Sequence, residues 1–95
     1  MPTFRIAHIH EQGQDMIIIP LEDRFEFLTD EQRAAETVAL QRCATAAGLK
    51  GTVVPVWHAP GGGFRFLAPT PWHPFFKSID ESMIAANLNK ELTCG

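Results

Sequence analysis

The sequence predicts an α+β domain of order ββαββα, a four-stranded antiparallel sheet carrying two helices on one face. Three observations predict it. Two pairs of β-rich runs are each joined by a short turn that contains glycine. Thr29-Asp30-Glu31-Gln32 is a capping box, opening a helical stretch that stops at Gly48. Ser78-Ile79-Asp80-Glu81 is a second capping box, near the end of the chain.

Thr3 to Ile9 is rich in β-formers, and Asp15 to Leu21 is dominated by the branched aliphatics Ile17, Ile18, Ile19 and Leu21. Glu11-Gln12-Gly13-Gln14 between them supplies a polar turn with a glycine free to take positive φ. Glu22 to Leu28 mixes acids with Phe25 and Phe27, as a loop that tucks its aromatics inward; Glu22, Asp23 and Glu26 read as its solvated side. The first helix runs from about Asp30 to Ala47, with acids at its positive end. Its stripe of Ala35, Ala39, Leu40, Cys43 and Ala47 is mostly small, which suits close packing on a sheet.

Thr52 to His58 is a third strand, and Gly63 to Ala68 returns as a fourth after the turn Ala59–Gly62. Pro55 donates no ladder hydrogen bond, which points to an edge strand or a bulge. Pro69 to Pro74 holds three prolines in six residues and excludes regular structure. The second helix should reach about Leu92, with Ile84, Leu88 and Leu92 on one face and Ile79, Met83 and Ala86 on the other.

Met16–Ile19 and Val53–Trp57 do not alternate apolar with polar residues, so both faces of these strands read as buried. Helices on one side leave the other to be covered by Trp72–Phe76 or, more economically, by a second copy of the chain. A homodimer is therefore expected. The element order also resembles a ferredoxin-like sheet whose last strand has moved to the front. A tandem ββα repeat is the other arrangement, since an offset of 48 superposes His10 on His58, Gly13 on Gly61, Phe27 on Phe75 and Leu40 on Leu88.

Composition narrows the function classes. The chain has 95 residues, enough for residues 1–95 to form a single domain. Hydrophobic residues make up 45% and charged residues 20%, a globular balance rather than a disordered one. The net charge of −3 provides no basic footprint for nucleic acid or for an anionic membrane surface. Met16–Pro20, the longest apolar run, is too short to cross a bilayer. The start of the chain lacks the pattern of a secretory signal, and two cysteines are too few for a disulfide scaffold. The expectation is a cytoplasmic protein with two free thiols, Cys43 buried and inert.

Few residues announce chemistry. His8 and His10 share one face of a strand, and His58 at the end of another could join them with Glu11 in a metal set. Water on an edge strand is the simpler partner, so no metal or other cofactor is expected. Met1-Pro2-Thr3-Phe4 resembles the opening of the tautomerase superfamily, which implies Pro2 as an N-terminal base. A turn and a strand stand here where that family has a long helix. Gly63-Phe64-Arg65-Phe66-Leu67 resembles the aromatic strand of an RNA-recognition motif, but Arg65 replaces a small residue and the neighbouring strand has no aromatic. Gly61-Gly62-Gly63 precedes a strand instead of a helix and reads as a hairpin tip.

The rigid aromatic segment is the preferred surface. Trp72, His73, Phe75 and Phe76, stiffened by Pro69, Pro71 and Pro74, are expected to bind a protein partner or a small ligand. The chain thus reads as a homo-oligomeric, non-enzymatic binding or accessory module. The alternative is a small enzyme or metal protein that uses Pro2 or the histidines.

Overall fold

The structure, a computed structural model, describes residues 3–11 and 13–94. Strands β1 (Thr3–Glu11) and β2 (Gln14–Pro20) are followed by a 3-10 helix (Asp23–Phe27) and helix α1 (Asp30–Ala46). Strands β3 (Thr52–His58) and β4 (Phe64–Phe66) come next, then a 3-10 turn (Thr70–Trp72), helices α2 (His73–Ser78) and α3 (Glu81–Ala86), and strand β5 (Lys90–Thr93). The class is α+β, as the sequence predicts, but the sheet has five strands in the order β4-β3-β2-β1-β5.

Both expected hairpins form. Gly13 turns the first at φ 76°, and β1 pairs with β2 from Glu11↔Gln14 to Ala7↔Ile18. The β3–β4 pair runs from His58↔Phe64 to Val56↔Phe66. Between the hairpins, however, β2 and β3 run parallel, with Ile18 beside Val54. The reason is length. At 1.5 Å per residue α1 spans about 26 Å, enough to carry the chain back along the roughly 23 Å of β2. The sheet is therefore mixed, which corrects the antiparallel and ferredoxin-like layouts.

The helices also divide between the two faces. Ile17, Ile19 and Val53 pack under Leu40 and Ala44 of α1. Met16, Ile18, Val54 and Val56 point the other way, against Phe76 of α2 and Ile84 of α3. Central strands covered on both sides need no alternation, and that is why Met16–Ile19 and Val53–Trp57 are continuously apolar. The chain covers with its own α2 and α3 the surface that suggested a dimer.

The capping box of α1 forms as read: Gln32 N–H donates to Thr29 Oγ1 at 3.1 Å and Thr29 N–H donates to Gln32 Oε1 at 2.9 Å. Its buried side differs from expectation. Leu40 and Ala44 face the sheet, Cys43 is half-buried, and Ala35, Ala39 and Ala47 are not buried. Gln41 helps to fix this rotation, because it accepts from Val53 N–H at 2.8 Å and donates to Gly51 O at 3.1 Å.

Pro55 is fully buried in an interior strand, not on an edge. Its carbonyl accepts from Leu67 N–H at 3.1 Å, so the missing N–H falls on the same side, just where β4 ends. The second helix is shorter than expected. Asp80, not Ser78, caps α3 by accepting from Met83 N–H at 2.8 Å, and the helix stops at Ala86. Asn89 then brackets β1, accepting from His8 N–H at 2.9 Å and donating to His8 O at 3.0 Å. That clamp starts β5, which places Leu92 in a strand at the edge of β1.

Cys43 and Cys94 form a disulfide between α1 and the residue after β5, with Cα atoms 5.8 Å apart. This overturns the reading of two free thiols. The tandem repeat also fails beyond the hairpins: Phe27 is exposed while Phe75 is half-buried, Leu40 lies in a helix and Leu88 beyond one, and β5 has no counterpart.

Gly51 provides a sharp test of the α1–β3 connection. Its φ is 123°, and a Cβ there would sit 2.5 Å from Asp15 O. Strain and overlap together should cost roughly 2–4 kcal/mol in Gly51→Ala. Gly48 has φ 81°, and a Cβ there would meet nothing within 4 Å. Gly48→Ala should cost only about 1 kcal/mol. Urea midpoints measure both; equal losses would mean that β2 and the connection do not approach as described.

Candidate functional site

The parallel strands β2 and β3 end side by side, where Leu21 N–H donates to Val56 O at 2.8 Å. The β3–β4 hairpin projects beyond that end. Ala59 N–H reaches Gly63 O at 3.2 Å, and Gly61, Gly62 and Gly63 all take positive φ. His58 and Phe64 are direct cross-strand partners, so they share the face that α3 covers. Helix α3 is too short to close this end of the sheet. A cleft of about 370 Å³ remains between them.

Its walls are mostly apolar. Pro20, Leu21, Val56 and Phe64 come from the strand side, and Ile84, Ala85 and Leu88 from α3 and its exit. His58, Glu81 and Ser82 provide its polar groups. His58 Nδ1 lies 3.5 Å from Glu81 Oε1, and both side chains are substantially exposed. Such a pair contributes at most about 1 kcal/mol to stability, so its position at the cleft is of more interest than its strength. Crevices at the carboxyl ends of parallel strands are common ligand positions.

Trp57, between Val56 and His58 in β3, turns its indole to the opposite face, where it is firmly held. Trp57 Nε1–H donates to Glu26 Oε2 at 2.6 Å, and Phe25 meets its ring edge-on at 4.7 Å. Arg33 lies 5.1 Å from the ring centroid, an attractive cation–π position. Its guanidinium also donates to the Phe25 and Glu26 carbonyls. Arg65 Nη1 completes the set 3.3 Å from Glu26 Oε1. Glu26 is thus a nearly buried anchor that ties the 3-10 helix to β3, not a solvated loop residue. Phe25 tucks inward as expected, whereas Phe27 is 84% exposed.

The aromatic segment expected to bind a partner lies elsewhere on the α2/α3 face. Phe76 is 1% exposed and stacks on Phe66 at 5.1 Å, so its ring is core and has no surface to offer a partner. Trp72, His73 and Phe75 are half-buried. His73 Nε2–H donates to Ala68 O at 3.0 Å and its ring meets Phe66 edge-on. Phe64 and Phe66 pack against the same hydrophobic cluster.

The histidines do not assemble. His8 pairs with Ile17, which pairs with Val53, and His58 lies five positions farther along β3, about 17 Å away. His8 Nε2–H donates to Lys50 O at 2.7 Å, and His10 Nδ1 is 2.7 Å from Asp15 Oδ1. The described residues contain no group of three or more His, Cys, Asp or Glu side chains placed to hold a metal ion. The His10 hydrogen bond holds the Asp15 carboxyl below its ordinary value. That contribution is present above the ordinary carboxylate range and is lost as acid protonates the folded form. Pro2 lies outside the described residues. No helix among them is long and apolar enough to cross a membrane.

No family model, curated protein or solved structure matches the chain.

Proposed function

We propose that the chain is a small binding module whose ligand is a compact, largely apolar molecule held between α3 and the ends of β2 and β3. The observation that carries this reading is the cleft itself. Its volume of about 370 Å³ falls in the range of small-molecule sites, and its apolar walls meet three polar groups at His58, Glu81 and Ser82. On the opposite face, the anchoring of Trp57 by Glu26 and Arg33 fixes the end of β3 on which Val56 and His58 stand. Nothing in this reading requires catalysis.

Plugging the cleft tests it. Ala85 is exposed and lines the cleft, so Ala85→Phe should place a ring there without disturbing the core. Phenylbutanol is a suitable neutral probe, with an expected Kd of roughly 0.1–5 mM from ordinary ligand efficiencies. At ten times Kd it should stabilise the natural chain by about 1.4 kcal/mol, a rise of several degrees in Tm. Ala85→Phe should keep its own Tm and lose that rise. An equal rise in both proteins would mean that the probe binds elsewhere.

A second reading keeps the aromatic segment as a contact surface for a protein partner or a second copy. Half-buried Trp72 and Phe75 favour it, together with Met83, which is 46% exposed on the same side. The Cys43–Cys94 disulfide counts against the cytoplasmic setting expected together with two free thiols. Disulfides persist in oxidising compartments, and we place the protein in one.

A further inference from the structure

We infer that the ligand of this cleft carries a hydrogen-bond-donating end, an amine above all, which docks on Glu81, and that the cleft turns carboxylates away. The inference rests on the cleft being a binding site and goes on to specify what enters it.

The charged groups decide the matter. Among the described residues that line the cleft, Glu81 is the one carboxylate, and no lysine or arginine stands with it. His58 Nδ1 lies 3.5 Å from Glu81 Oε1, and a carboxylate has the capacity to accept from a further donor. Asp80 adds a further negative charge one residue away, while its carboxylate is occupied in capping α3. Lys77 lies outside the cleft, in an adjoining hollow that it lines with Asp80 and that shares Phe64, Glu81 and Ser82 with the cleft. A ligand that buries an apolar body against Val56, Ile84 and Leu88 meets in Glu81 the one carboxylate of the cleft, with His58 and Ser82 as its other polar groups. An amine or hydroxyl can donate to Glu81; a carboxylate cannot, and two like charges would face each other where water is partly excluded.

Three probes with the same apolar body isolate this effect: phenylbutylamine, phenylbutanol and phenylbutyrate. The methyl NMR signals of Val56, Ile84 and Leu88 report occupancy directly. The amine should bind on the order of tenfold tighter than the carboxylate, with the alcohol between them. Glu81→Gln retains the Asp80 cap and should reduce the amine-to-carboxylate ratio to about one, with alcohol affinity changed less than about twofold. His58→Gln should keep the amine preference. A carboxylate that binds the natural chain as well as the amine overturns the inference but not the cleft. So does a preference that survives Glu81→Gln, because it would then come from the overall charge of −3. Loss of the preference in His58→Gln would transfer the docking role to the imidazole and also overturn it. If none of the three probes moves those methyl signals, the cleft itself is not a binding site.

Discussion

Phe76→Ala should destabilise the protein by about 3–5 kcal/mol, the ordinary cost of removing a fully buried aromatic ring. Phe76 is 1% exposed and is enclosed by Phe66, Phe75 and the apolar face of the central strands. The loss would be a large share of the stability of a domain this size, which is on the order of 5–14 kcal/mol, and nearly all of it at the low end. Phe27 provides the comparison. It is a residue of the same kind, but 84% exposed, and Phe27→Ala should change stability by no more than about 0.5 kcal/mol. Trp72→Ala and Phe75→Ala should fall between these limits, because both rings are half-buried. Urea unfolding orders the four variants. Equal effects of Phe76→Ala and Phe27→Ala would show that α2 does not seal the second face of the sheet.

Reduction of the Cys43–Cys94 disulfide should cost about 4 kcal/mol in the chain-entropy picture, given a sequence separation of 51 residues. For a domain of this size that corresponds to a fall in Tm of roughly 15–30 °C. The bond matters locally as well. It fastens the end of β5, a four-residue edge strand with Leu92 as its buried residue, to α1. The double variant Cys43→Ser with Cys94→Ser should show the same fall and no further response to dithiothreitol. Intact-mass analysis after alkylation provides a check independent of folding: air-exposed protein should take up no label until reduced. Two labelled cysteines without reductant, or a Tm unmoved by dithiothreitol, would contradict the assignment.

Much of the local structure is legible in the residues. Gly13 and the Ala59–Gly63 turn mark both hairpins, and Thr29 with Gln32 fixes the start of α1. These features depend on near neighbours, so a short window contains their cause. The sheet topology was also written in the chain, in the unalternating runs Met16–Ile19 and Val53–Trp57. Double-sided burial is the mark of strands sandwiched between helices, and here α1 covers one face and α2 with α3 the other.

Other features depend on distant partners and leave no local trace. The apolar residues of α1 surround the helix, so its periodicity does not choose between the Ala35–Ala39 side and the Leu40–Ala44 side. Lys90-Glu91-Leu92-Thr93 has good helix formers, yet the Asn89 clamp on His8 and the pairing with β1 make it a strand. Cys43 and Cys94 meet only because β5 lies beside β1 under α1. The candidate site is of the same kind. Its walls come from β2, β3, β4 and α3, and no motif joins His58 to Glu81, which lie far apart in the sequence.

Ligand-induced shifts in the NMR spectrum of the natural chain map where a small apolar molecule binds. With phenylbutanol as probe, the shifts are expected to centre on Val56, Phe64, Ile84, Ala85 and Leu88, around the cleft at the ends of β2 and β3. Shifts confined to Trp72, His73, Phe75 and Met83, or no saturable shift at all, would contradict binding at the cleft.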